Sequence, residues 1–170
     1  MEGGGDLLVA EPVREALGDL PLPLGERRPE AGDYVGLSAS PLYEFGFGLS
    51  YTTFSYAHLR LTRTRMRRDQ STVVRVDVTN TGKRRGQEVV QLYLRDRRAS
   101  VSLPERMLRG YAKADLAPGE TTTVAMTLSP GELALVDHRM RTVVEPGSFD
   151  ILIGRSCRAI ELTARLEVTD

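Results

Sequence analysis

From about residue 54 onward, apolar side chains recur with a period of two residues. Apolar residues occupy every second position in segments 74–78, 90–94, 124–128, 149–153 and 160–168, and most of the residues between them are polar or charged. Successive side chains of a β-strand point to opposite faces, so each segment has one face suited to a core and one suited to water. This pattern is typical of antiparallel sheets, because buried parallel strands read as continuous apolar runs.

Turn signals separate these segments at short intervals. Residues 80–82 read Asn-Thr-Gly, and Pro-Gly pairs stand at 118–119 and 146–147, all of which favour tight turns. Ser129 and Glu132 flank Pro130 in a capping-box arrangement, which predicts one short helical turn at about 130–134. We therefore predict an all-β fold, an immunoglobulin-like antiparallel β-sandwich of about seven strands.

The first part of the chain has a different texture. Five prolines interrupt residues 1–53, and only 13–20 has apolar residues at helical spacing. Residues 1–59 carry nine acids and three bases, whereas 60–170 carry 20 bases and 14 acids. We predict an irregular leader over residues 1–53, followed by the sandwich over 54–170.

Composition excludes several classes of function. A single cysteine, Cys157, excludes an internal disulfide and a cysteine-based zinc site, and the two histidines lie 80 positions apart. We therefore expect no metal and no cofactor. No apolar run approaches the roughly 18 residues of a membrane span, and the first residues lack the layout of a secretion signal. We expect no membrane partner and a cytoplasmic location.

Aromatic residues are concentrated in residues 41–54, where five of the fourteen are Tyr or Phe and two glycines are interleaved with them. Glycine permits close backbone approach and the rings supply area to bury, so the segment is predicted to pack at the junction between leader and sandwich. The residues predicted to form this junction are Tyr43, Phe45, Gly46, Phe47, Gly48, Tyr51 and Phe54.

This aromatic segment closely resembles the stretch that leads into the C-terminal domain of glycoside hydrolase family 3, the β-glucosidase and β-xylosidase family. Residues 78–82, 86–93, 108–111, 116–120 and 144–149 resemble that family's fibronectin type III-like domain, in the same order and at similar spacing. The resemblance covers about residues 41–168. Residues 18–40 are more weakly similar to the tail of the preceding domain.

The resemblance implies a non-catalytic accessory domain that braces or docks onto catalytic domains, in the same polypeptide or a separate one. Family members carry the catalytic Asp and the general-acid Glu on domains upstream of the matched region, so no residue here inherits either role. A gene remnant, a mis-called start and a small subunit all fit this interpretation. Leu103 stands before Pro104 where family members commonly have Arg, which is a departure from the pattern.

Few residues suggest catalysis by this chain alone, and we assign it no catalytic residue. Asp137 next to His138 is the one acid–base pair worth naming, and we interpret it as a solvated turn because sequence neighbours on a loop rarely form dyads. We interpret His58 as a hydrogen-bonded or exposed surface residue and Cys157 as a surface thiol.

A free-standing binding module is the alternative function. Residues 60–113 hold 15 bases and five acids, and a basic patch formed by Arg84, Arg85, Arg97 and Arg98 could bind a polyanion or an anionic polysaccharide. We favour solvated strand faces for these charges, and we expect no nucleic-acid partner. Stacking of a carbohydrate on an exposed tyrosine, Tyr93 or Tyr111, is the other form of this alternative.

Overall fold

The computed structural model describes residues 41–170, which form ten β-strands and one short helix. The elements are β1 (Phe54–Leu61), β2 (Arg65–Arg67), β3 (Thr72–Asn80), β4 (Gly86–Asp96), β5 (Met107–Leu116), β6 (Thr121–Leu128), α1 (Pro130–Leu133), β7 (Leu135–Val136), β8 (Thr142–Val143), β9 (Gly147–Gly154) and β10 (Ile160–Thr169).

The strands form two sheets that pack face to face. One sheet has the order β1-β3-β6 and the other the order β2-β10-β9-β4-β5, while β7 and β8 form a separate two-stranded ribbon. Every pairing is antiparallel except that of β2 with β10. The predicted all-β sandwich is therefore confirmed. Ten strands are present in place of about seven, because β2, β7 and β8 have two or three residues, too few to show a period.

The core lies between the sheets and consists of the apolar faces that the alternation predicts. Val76 on β3, Leu92 on β4 and Ile151 on β9 are almost completely buried. Each such side chain contributes roughly 1.5–3 kcal/mol by leaving water. Burial of this one face of each strand stabilises the packing of the two sheets.

The short helix α1 forms where the capping box predicts it. The backbone N–H of Ser129 donates to a carboxylate oxygen of Glu132 at 2.7 Å, and Leu133 turns into the core. The hydrogen bond from the Ser129 hydroxyl lowers the pKa of Glu132. No helix of the described residues has the length and apolar character that a membrane crossing requires.

Candidate docking surface

The aromatic segment lies on the outer face of the five-stranded sheet. On β4, Leu92 and Leu94 face the core, so Gln91 and Tyr93 project from the opposite face. A turn over residues 44–47 covers these two side chains, closed by the N–H of Phe47 donating to the carbonyl of Glu44 at 3.0 Å. Both Gln91 and Tyr93 are buried as a result.

A polar network holds this turn against the sheet. The amide nitrogen of Gln91 donates to the carbonyl oxygens of Gly46, at 2.9 Å, and of Arg155. The Tyr93 hydroxyl donates to Oε1 of Gln91 at 2.6 Å. Burial raises the pKa of Tyr93 to about 12, so its hydroxyl keeps its proton and remains a donor at neutral pH.

The loop after β9 supplies the rest of the attachment. The backbone N–H of Cys157 donates to the carbonyl of Phe45 at 3.0 Å, and the Ser156 hydroxyl donates to Oε1 of Glu44 at 2.7 Å. The second bond lowers the pKa of Glu44. Both the backbone of the turn, at Phe45, and the side chain of its first residue, Glu44, are thus hydrogen-bonded to the sandwich.

Arg155 joins the segment to the first strand. Its guanidinium donates to the carbonyl of Phe54 at 2.7 Å, lies 3.1 Å from the carboxylate of Glu161, and stacks 5.8 Å from the centre of the Tyr56 ring. The Tyr56 hydroxyl donates to Oε1 of Glu88 at 2.7 Å. Burial raises the pKa of the Glu88 carboxyl, because desolvation disfavours its charged form.

Beside the turn runs a groove of about 550 Å³, whose exposed apolar rim we call the docking surface. This rim combines the aromatic segment with strands β4 and β5, and Phe45, Leu49 and Tyr111 are 65%, 90% and 66% exposed. The surface consists of the exposed Phe45, Phe47, Leu49, Val89 and Tyr111 together with the half-buried Leu108. Exposed apolar side chains gathered in this way are typical of a binding surface.

The predicted junction is only partly packed within residues 41–170. Phe54 is buried in the core, but the rings of Tyr43, Phe45, Phe47 and Tyr51 are exposed there. The physical reason is that the turn contacts the sheet through its carbonyl oxygens, which leaves the rings on its outer side. Gly46 lies in the turn itself, and a Cβ at Gly48 would meet no atom within 4 Å.

Acidic side chains are scarce in the groove. Among the described residues that line it, Glu88 is the only carboxyl, and it is engaged by Tyr56 and lies 4.0 Å from Arg155. A retaining glycosidase needs two carboxyls about 5–5.5 Å apart and an inverting one about 6.5–9.5 Å. Within residues 41–170, no three His, Cys, Asp or Glu side chains are grouped so as to hold a metal ion.

The four arginines of the predicted basic patch are not brought together. Arg84 and Arg85 precede β4, whereas Arg97 and Arg98 follow it, so the eleven residues of β4 separate the pairs by about 35 Å. Arg85 forms an ion pair with Asp115 at 2.9 Å. The prediction of a single patch from these residues is therefore wrong, because the extended backbone of β4 places the residues at its two ends far apart.

Of the two tyrosines predicted as alternatives for stacking on a carbohydrate, the structure leaves only one exposed. Tyr93 lies beneath the turn, where its ring cannot stack on a ligand, whereas Tyr111 is exposed beside the groove.

His58 makes a hydrogen bond from Nδ1 to a carboxylate oxygen of Asp77, 3.0 Å away, and is otherwise exposed, as a surface role requires. Cys157 is partly exposed and contributes its backbone to the turn.

Asp137 has a structural partner other than His138. Its carboxylate accepts hydrogen bonds from the backbone N–H groups of Arg139 and Arg141 and from the Arg141 guanidinium at 2.7 Å. These bonds, the backbone bond from Arg141 first, lower the pKa of Asp137 to about 2. The carboxylate closes the β7–β8 turn, where Met140 has a φ of 60°.

We expect this turn to lose stability in acid. The pKa of Asp137 is lower in the folded chain than its ordinary 3.8, so its contribution is complete above about pH 4 and is lost as the pH falls towards 2. The free energy of unfolding of Asp137→Asn is therefore expected to be lower than that of the parent at pH 7, with a difference that shrinks from pH 4 to pH 2. Urea titrations at each pH measure this. A difference that stays constant down to pH 2 would contradict the assignment.

Sequence reasoning missed the residues that hold the turn, namely Gln91, Arg155 and Ser156. Gln91 occupies a polar position in an alternating strand, which by itself predicts exposure. Its burial depends on a segment 45 positions away, and no local pattern reports such a contact.

Comparison with known proteins identifies relatives of this sandwich. Residues 88–157 match the family described as fibronectin type III-like domain. The beta-xylosidase of Formosa agariphila is 47% identical over 131 residues, which are 77% of this chain and 18% of that protein. The periplasmic beta-glucosidase of Salmonella typhimurium is 43% identical over 121 residues, 71% of this chain and 16% of its own.

Solved structures show the same relation. The beta-glucosidase from Listeria innocua in complex with glucose is similar with a TM-score of 0.76 and 31% identity, covering 86% of this chain and 20% of that one. The b-glucosidase EmGH1 from Erythrobacter marinus has a TM-score of 0.75 and 38% identity over 81% of this chain and 18% of its own. The chain therefore spans about a fifth of the length of the proteins it matches.

Proposed function

The chain belongs to the fibronectin type III-like domains of glycoside hydrolase family 3, and we propose that it docks onto catalytic domains of such an enzyme through its docking surface. The domain itself is a non-catalytic accessory unit. Its partner is the glycosidase portion, carried in the same polypeptide or in a separate one, and the bond-breaking carboxyls belong to that partner.

The observation that supports this proposal is the combination of exposed rings and a fixed backbone. Phe45 and Leu49 expose most of their side chains, although the turn beside them is held by hydrogen bonds from Gln91, Ser156 and Cys157. A surface that is ordered before binding loses less conformational entropy when a partner arrives. Apolar side chains on such a surface gain roughly 25 cal/mol for each Å² that the partner covers.

The position of the surface agrees with a role as a brace. The aromatic segment precedes β1 directly, so the chain that enters the sandwich is the same chain that forms the docking surface. A domain joined to a catalytic unit at this point would have its docking surface at the connection. Covering the rings there would fix the angle between the two units.

The proposal is tested by binding in trans. The Formosa agariphila beta-xylosidase, expressed without the 131 residues that match this chain, is titrated with the chain in a calorimeter. We expect saturable binding that Leu49→Asp weakens at least tenfold, because a charge would be buried against an apolar partner. Met140→Asp is the matched control, since Met140 is equally exposed on the β7–β8 turn outside the groove.

The same preparation tests the absence of catalysis in the accessory unit. The chain alone is expected to show no hydrolysis of aryl β-glucosides or aryl β-xylosides. Turnover by the chain that disappears in Glu88→Gln would contradict the proposal, and so would binding that Met140→Asp and Leu49→Asp weaken equally.

A further inference from the structure

In the two larger sheets of residues 41–170, three of the four edge strands carry features that oppose pairing with another strand. The edge strand β1 has a bulge between Ala57 and Arg60, where His58 adopts a φ of 52°. The edge strand β2 is three residues long, and two of them are arginines. Bulges, short length and charge are the usual means by which proteins prevent edge-to-edge association.

The third edge strand, β5, is protected by charge. Arg109, Lys113 and Asp115 lie along it, and its pairing with β4 shifts register between Leu92 and Tyr93. These three strands therefore present edges on which a further strand meets a charge, a kink or too few hydrogen-bonding groups.

The remaining edge strand, β6, has none of these features. Its eight residues, Thr121–Leu128, carry no charge and no proline, and its pairing with β3 continues without a register shift. Within the part of the chain that the structure describes, β3 is its only neighbour in the sheet. A long, regular and uncharged edge is the kind that accepts another strand.

The ladder with β3 shows which backbone groups of β6 are free to pair. The N–H of Asn80 donates to the carbonyl of Glu120 at 2.9 Å, one step beyond the Thr79–Thr121 pair. Hydrogen-bonded pairs alternate along an antiparallel ladder, so the even-numbered residues of β6 bond to β3. The odd-numbered residues point their N–H and C=O groups away from it, and all four are exposed: Thr121, Thr123, Ala125 and Thr127.

We propose that the β6 edge pairs with the β6 edge of a second copy of this chain, antiparallel and centred on Val124. In this register Thr123 lies opposite Ala125 of the other copy, and Thr121 lies opposite Thr127. Each of the four odd-numbered residues then exchanges two hydrogen bonds, about eight in all. The product is a continuous six-stranded sheet with the order β1-β3-β6-β6-β3-β1.

The second copy is favoured over a foreign peptide because the edge is complementary to itself. Under the two-fold axis every outward pair consists of Thr and Ala or of two Thr residues, so no charge meets its like and no bulky side chain meets another. The odd-numbered residues of β6 are exposed along this edge, and a groove of about 340 Å³ separates residues 122–125 of β6 from β5.

The proposal is tested by the sedimentation of the full chain over a range of concentrations. We expect a concentration-dependent dimer. Thr123→Lys with Ala125→Lys places lysine opposite lysine across the axis and is expected to weaken the dimer at least tenfold. Thr123→Lys with Ala125→Glu places lysine opposite glutamate in the same register and is expected to retain the dimer.

Two controls keep the outcome decisive. Thermal unfolding of each variant shows whether the sandwich is intact, and Leu49→Asp, which changes the docking surface, is expected to leave the dimer unchanged. A chain that stays monomeric at every concentration overturns the proposal. Dimers that Leu49→Asp abolishes and the double-lysine variant preserves also overturn it, because the association would then use the docking surface.

Discussion

Replacing Asn80 by alanine is expected to destabilise the sandwich by about 3 kcal/mol. Asn80 is completely buried and uses every hydrogen-bonding group of its side chain. Its Nδ2 donates to the carbonyls of Arg84, at 2.7 Å, and Leu116, at 2.9 Å. Its Oδ1 accepts from the Gly82 N–H at 3.0 Å and from the Thr52 hydroxyl at 2.7 Å.

The size of this effect follows from what alanine leaves behind. Four polar groups lose their partner, and the most deeply placed of them, the carbonyl of Leu116, is poorly reached by water. Leaving such a group unsatisfied costs about 1–3 kcal/mol, more than the hydrogen bond contributes when it is present. Because the four partners come from the leader side of β1, the β3–β4 turn and β5, the loss affects three parts of the fold at once.

Urea unfolding of Asn80→Ala measures this cost, and two variants interpret it. Thr81→Ala, the exposed neighbour, is the control and is expected to change the free energy of unfolding by less than about 1 kcal/mol. Asn80→Asp keeps the shape but turns a carboxylate oxygen towards two carbonyls, so it is expected to be at least as harmful as alanine. An Asn80→Ala protein within 1 kcal/mol of the parent would show that the network contributes little.

The sandwich is predictable from the sequence because its main signal is local. Alternation in residues 74–78 and 149–153 identifies β3 and β9 and also says which side chains are buried, since the period of a strand is independent of its partners. The helix α1 is predictable for the same reason, because Ser129 and Glu132 are three positions apart. The order of the strands is set by pairings between distant segments, and the alternating pattern does not predict which strands pair.

Local sequence patterns do not predict the geometry of the candidate site. The aromatic composition of residues 41–54 marks the segment as important, but it does not say that the rings of Phe45 and Phe47 are exposed while Gln91 is buried. That inversion arises because a backbone turn lies on the sheet, and its hydrogen bonds connect residues 45 or more positions apart. The prediction of a patch of four arginines fails for a related reason. Residues at the two ends of one extended strand are near each other in sequence but far apart in space.

The turn depends on glycine at position 46, and Gly46→Ala is expected to release it. Gly46 has a φ of +83°, in the left-handed region that alanine adopts only at a cost. A Cβ there would also lie 2.1 Å from Oε1 of Gln91 and 2.7 Å from the Tyr93 hydroxyl. Both side chains are held in place by the network that their own hydrogen bonds form, so neither can move away without breaking it.

The expected result is local opening of the turn with the sandwich intact. A cost of about 2 kcal/mol corresponds to a roughly 30-fold faster hydrogen exchange of the Cys157 amide, which donates to the carbonyl of Phe45. Exchange of core amides such as that of Ile151 is expected to stay unchanged. Gly48→Ala is the matched control, two residues away, because a Cβ there meets no atom within 4 Å.

This comparison also separates the attachment of the turn from its function as a docking surface. If Gly46→Ala speeds the exchange of the Cys157 amide and weakens binding of the catalytic partner, while Gly48→Ala does neither, the rings bind because the backbone beneath them is fixed. If Gly46→Ala leaves the Cys157 amide protected, the turn is held by something other than the contacts of Gln91 and Tyr93 with Gly46. Equal effects of the two alanines would mean that the segment tolerates no added side chain at either position, and the close approach at Gly46 would then have no special role.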